Sequence, residues 1–83
     1  MVLKIAGADT EMHAFGELYS DRYEVFIEGL WNIRLRRPDT PCVNGMSRYF
    51  QDNNTVLVFP LRCLPEVNRV YNIDPRTIGI EIR

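Results

Sequence analysis

The stretch "RYEVFIEGLWNIRLRR", Arg22 to Arg37, decides the fold. Every second residue from Tyr23 is apolar or glycine: Tyr23, Val25, Ile27, Gly29, Trp31, Ile33 and Leu35. The residues between them are charged or polar, except Phe26 and Leu30. A period of two places alternate side chains on opposite faces of an extended ribbon, so the stretch reads as strand and not helix. Its β-branched and aromatic content agrees. Two arrangements satisfy the pattern. One is a single long strand bent or bulged at Gly29; the other is a hairpin whose loop is Glu28, Gly29 and Leu30. A three-residue hairpin loop prefers glycine at its last position, where Leu30 stands, so the bent strand is the better reading.

Similar signals lie on either side. "VLKIA", Val2 to Ala6, reads as a first strand, and "VNGM" as a turn in which Asn44-Gly45 supplies positive φ angles for a tight hairpin. "SRYFQDNNTVLVF" reads as a hairpin with Gln51 to Asn54 as its polar loop. Val56 to Phe59 is apolar on both faces, the pattern of a strand covered on both sides. "TIGIEIR" alternates again, with Ile78, Ile80 and Ile82 inward and Thr77, Gly79 and Glu81 outward.

Two segments show helical spacing. "LPEVNRVY" has Pro65 at a helix start, with Val67, Val70 and Tyr71 following. "DTEMHAFGELY" has Asp9 or Thr10 as a cap, but Gly16 weakens it. A strand from Phe15 to Tyr19, turning through Ser20-Asp21 into Tyr23, fits the second segment slightly better. The expectation is a predominantly β (α+β) fold: one domain over residues 1–83, built as a small curved antiparallel sheet or partly open barrel with one or two short helices.

The 83 residues are 46% hydrophobic and 25% charged, a globular balance that argues against disorder. A chain this short buries only about 60% of its unfolded surface, so its core has little margin. The longest apolar run, Val56 to Leu61, is far below the ~20 residues of a membrane helix. The opening residues lack the charged start and apolar block of a secretory signal. A cytoplasmic location is therefore expected. Cys42 and Cys63 lack metal-ligand spacing and read as two small buried hydrophobes, with a disulfide as the alternative in a secreted protein.

Charge is uneven along the chain. Residues 1–30 hold two basic and six acidic residues, whereas residues 31–83 hold eight arginines and five acidic residues. Candidate chemistry is sparse. His13 is the single histidine, the five glycines are isolated from one another, and the carboxylates Glu24 and Glu28 project from a strand face beside arginines. No enzymatic role, cofactor or metal is expected.

Two binding readings remain. Phe26 and Leu30, ringed by Glu24, Glu28, Arg34 and Arg36, are either second-layer core under another part of the chain or a candidate protein interface with an apolar centre and a charged rim. Strand-edge pairing into a homodimer would use the same surface. Alternatively, Arg34, Arg36, Arg37, Arg48 and Tyr49 could track a single-stranded nucleic acid, stacking bases and neutralising phosphates. The acidic pI of about 5.7 weighs against that. The expected function is thus a small non-enzymatic protein-interaction domain, an adaptor or inhibitor of the kind some phages and mobile elements encode.

Overall fold

The computed structural model describes residues 2–7, 9–33 and 40–83. Among these residues there are seven strands and no helix. The strands are β1 (Val2–Ala6), β2 (Ala14–Leu18), β3 (Arg22–Glu28), β4 (Ser47–Gln51), β5 (Asn54–Pro60), β6 (Asn68–Asp74) and β7 (Thr77–Ile82). They form two antiparallel sheets, a three-stranded one in the order β1-β7-β6 and a four-stranded one in the order β2-β3-β5-β4. The architecture is all-β, without a closed barrel and without the expected short helices.

The alternation read from the sequence sets which side of each sheet is dry. Tyr23, Val25 and Ile27 of β3 and Leu57 and Phe59 of β5 join Ile5 of β1 and Ile78, Ile80 and Ile82 of β7 in one buried cluster. Each such side chain contributes roughly 1.5–3 kcal/mol by leaving water. Trp31 and Ile33 pack against the same cluster, as the alternation predicts.

The long strand ends earlier than expected. Gly29 has φ +94°, a left-handed conformation that turns the chain off the sheet after Glu28. The buried Thr55 hydroxyl holds the turn: it donates to the Gly29 carbonyl at 2.8 Å and accepts from the Trp31 amide at 2.8 Å. The alternative hairpin is also excluded, because both sides of β3 are occupied by β2 and β5.

The other corrections have local causes. Val67, Val70 and Tyr71 have helical spacing, but cross-strand pairing with β7 wins: β6 runs antiparallel to it from Asn68↔Ile82 onward. The Asn44-Gly45 signal supplies one positive φ, at Gly45, and no hairpin. Instead Val43 bridges Leu61, and the Asn44 amide donates to the Pro60 carbonyl at 2.7 Å. The tight turn sits at Asp52 and Asn53, both with positive φ (52° and 63°), so Gln51 and Asn54 pair with each other and are not loop. Residues 9–19 contribute a strand, the slightly better of the two readings.

The cysteines are not two independent hydrophobes. Cys42 and Cys63 are joined as a disulfide, with Cα atoms 5.0 Å apart, within the normal span of such a bond. It clamps the connection entering β4 against the end of β5, where the Arg62 amide donates to the Cys42 carbonyl at 2.7 Å.

A tyrosine lies over a glycine in each sheet. A Cβ on Gly16 would fall within bonding range of the buried Tyr23 ring, and one on Gly79 would lie 2.5 Å from Tyr71 Cζ. Gly16→Ala must therefore displace Tyr23 from the core. The expected loss is about 1–3 kcal/mol by urea denaturation. The cost should shrink when Gly16→Ala is combined with Tyr23→Leu, because the two sites share one space. An undiminished cost in the double variant would contradict that packing.

On the outer face of the three-stranded sheet, Glu81 sits between Arg69 (Nε–Oε1 2.6 Å) and Arg83 (Nε–Oε2 3.0 Å). The Arg69 guanidinium lies 4.7 Å from the Tyr71 ring centroid. The hydrogen bond from Arg69, and then the charges of both arginines, hold the Glu81 carboxyl below its ordinary value of 4.5. A depressed folded-state value stabilises the protein above the unfolded value, and that contribution is lost as pH falls through the folded one. The thermal midpoint should thus drop as pH goes below 4.5, with a shallower drop in Glu81→Gln. Parallel acid profiles of the two proteins would rule Glu81 out as a contributor.

Candidate binding face

The outer face of the four-stranded sheet differs in kind. The registers place Phe15 of β2 beside Phe26 of β3, Phe26 beside Val56 of β5, and Val56 beside Tyr49 of β4. One apolar row thus crosses all four strands. The Phe15 and Phe26 rings stack with centroids 5.0 Å apart and planes 17° from parallel. Phe15 is 61% exposed and Tyr49 41%, while Phe26 is half-buried and Val56 is buried between its neighbours. Val58 is half-buried, so the outer side of β5 is not closed over in the way its two-sided apolar pattern predicts.

A charged rim borders the row. Glu17 of β2 lies opposite Glu24 of β3 in the next register pair, and Glu28 ends β3 on the other side. Glu24 is buried and committed within the sheet: it accepts from Arg22 Nε at 3.2 Å and from the Tyr49 hydroxyl at 3.3 Å. Burial, reinforced by the Glu24 charge, raises the Tyr49 phenol above its usual value, so it remains a neutral donor at neutral pH. Arg22 also pairs with Asp21 at 2.8 Å and lies 4.1 Å over the Tyr19 ring. The Tyr19 hydroxyl donates to Glu17 at 2.7 Å. An open depression beside the row is lined by His13, Phe15, Phe26, Glu28 and Asn54.

The bend at Gly29 separates residues that the alternation had put on one surface. Phe26 joins the aromatic row, whereas Leu30, 62% exposed, stands on the segment beyond the bend, next to a depression shared with His13, Glu28 and Trp31. Arg34, Arg36 and Arg37 lie outside the described residues. Arg48 and Tyr49 are adjacent on β4 and so face opposite sides. Arg48 donates to Asn32 Oδ1 at 2.7 Å and to the Ile33 carbonyl at 3.2 Å, with its guanidinium 5.2 Å from the Phe50 ring centroid. His13 and Glu11 approach to 3.6 Å in solvent, and no cluster suited to a metal ion occurs among the described residues. No helix among them is long and apolar enough to cross a membrane.

Phe15 and Val56 were not among the residues singled out from the sequence. Phe15 had a signal: a turn through Ser20-Asp21 pairs Tyr19 with Arg22, and counting outward brings Phe15 opposite Phe26. Fold and face together define a small two-sheet β protein with one aromatic sheet surface. Comparison with protein-family models, with curated proteins and with solved structures returns no match for the chain.

Proposed function

We propose that the protein is a small non-enzymatic interaction domain, an adaptor or inhibitor, that covers part of another protein with the outer face of its four-stranded sheet. The observation that carries this reading is the continuous row Phe15–Phe26–Val56–Tyr49, with exposed aromatics at both ends. Aromatic residues supply large contact area at low entropic cost and dominate the centres of protein interfaces. The exposed carboxylates Glu17 and Glu28, on either side of the row, suit a partner with basic groups around an apolar patch. Leu30 extends the contact beyond the bend, while Arg34 and Arg36, which the sequence reading added to the interface, lie outside the described residues. The same two carboxylates disfavour the alternative, a single-stranded nucleic acid held by Arg34, Arg36, Arg37, Arg48 and Tyr49, because carboxylates repel phosphates.

A photo-crosslinking residue at Phe15, compared with one at Lys4 on the other sheet, tests the proposal in the source cells. We expect discrete protein adducts from position 15 that vanish with Phe26→Asp. Equal labelling from both positions, or adducts to nucleic acid, would refute it. The cytoplasmic location is part of this reading, and the cysteine pair opposes it, since such bonds persist mainly in oxidising compartments. Trapping thiols at lysis decides: free Cys42 and Cys63 support the cytoplasm, and a protected pair excludes it.

A further inference from the structure

Four strands border the two sheets: β1 and β6 in one, β2 and β4 in the other. An unprotected border strand offers a row of amide and carbonyl groups to another chain. Among the described residues, three of the four are guarded. β2 and β6 run close to each other, and the loop before β2 is tied to the far sheet, with the Met12 amide donating to the Pro75 carbonyl at 2.9 Å. β6 also carries a bulge between Asn72 and Asp74. β1 has Lys4 at its centre, so that pairing with its own copy opposes two ammonium groups. β4, "SRYFQ", has neither proline nor bulge, and all five of its residues are exposed. Its one charge, Arg48, is turned onto Asn32 and Ile33.

The register of β4 fixes how a second strand would dock. The two-residue turn at Asp52 and Asn53 makes Gln51 and Asn54 a pair that exchanges hydrogen bonds, and such pairs alternate along an antiparallel ladder. Tyr49 and Ser47 therefore bond inward to β5, and the backbone groups of Arg48 and Phe50 point away from the sheet. We propose that β4 pairs antiparallel with β4 of a second copy of this chain, about a two-fold axis at Tyr49, giving one eight-stranded sheet.

In that register Arg48 meets Phe50 of the second copy through two reciprocal bonds, and Phe50 meets its Arg48 through two more. Each Arg48 thus lies opposite a phenylalanine, and no two arginines are opposed. A two-fold at Arg48 opposes two guanidinium groups. One at Phe50 sets Arg48 against Asp52, which is already in the turn, and loses two of the four bonds. Tyr49 beside its counterpart continues the row Phe15–Phe26–Val56–Tyr49 into the second copy. Five residues per chain bury too little surface for a permanent dimer, so the association is reversible. It uses the backbone edge and does not depend on what the aromatic face binds.

Sedimentation equilibrium over a range reaching millimolar concentration tests it. The mass should rise from the 9.7 kDa monomer towards twice that value. Phe50→Pro removes an outward donor, as an edge strand tolerates, and should weaken association at least about tenfold while the circular dichroism stays native. Tyr49→Cys provides a second reading. Directly opposed residues of a non-exchanging pair have Cα atoms about 4.5 Å apart, within reach of a disulfide. Oxidation should therefore yield a dimer linked through position 49, shown by peptide mapping. A strictly monomeric protein whose Tyr49→Cys variant does not cross-link overturns the proposal. So does a dimer that survives Phe50→Pro but is lost with Phe15→Asp, which would place the contact on the face. Should Phe50→Pro unfold, the Tyr49→Cys mapping decides alone.

Discussion

Phe59→Ala is expected to lose about 3–5 kcal/mol of folding stability, whereas Phe15→Ala loses no more than about 1 kcal/mol. Both are phenylalanines in strands of the same sheet. Phe59 has no exposed surface and lies between the sheets, next to Tyr23 in register. Truncating it removes transfer energy and leaves a cavity that the surrounding isoleucines cannot fill. Phe15 sits on the outer face with most of its surface in water, and its replacement costs part of one ring stack. A domain of this length holds roughly 4–12 kcal/mol in total, so Phe59→Ala should be mostly unfolded or close to it. Urea midpoints at unchanged slope measure both variants. Similar losses at the two positions would mean that the faces have been assigned wrongly.

The second large effect concerns Cys42 and Cys63. Their bond closes a loop across a sequence separation of 21 residues, for which restriction of the unfolded chain gives about 3 kcal/mol. In a domain of this size that corresponds to about 12–24 °C in Tm. Reductant should lower the midpoint by this amount, and Cys63→Ser should reproduce the loss with no further effect of reductant. A midpoint indifferent to reductant would mean that the pair is not bonded in solution.

Much of the strand content was legible because it rests on local rules. Val2–Ala6, the alternation of Tyr23, Val25 and Ile27, and the inward Ile78, Ile80 and Ile82 follow from a period of two, and each was found where expected. Local signals failed where strand pairing overrode a local period. Val67, Val70 and Tyr71 follow helical spacing, and only pairing with the neighbouring β7 overrides it, turning Val70 to the core and Tyr71 to the outer face over Gly79. Gly29 was recognised as a bend, but the pattern continues past it through Trp31 and Ile33, so the strand end was invisible. The Thr55 hydroxyl that holds the turn comes from a residue far along the chain.

The same division governs the candidate site. The sequence by itself determined that Phe26 sits on the face opposite the core and that Glu24 and Glu28 share that face, because side-chain direction alternates along any extended chain. Its turns also contained the pairings of Phe15 with Phe26 and of Tyr49 with Val56. Only the tertiary structure decided that β3 and β5 are neighbours, which joins two local pairs into one row across four strands. It also brought Cys42 to Cys63 and left β4 at the border of its sheet. These are long-range choices: which strands lie side by side depends on how the whole apolar surface is best buried, and no short window of residues contains that information.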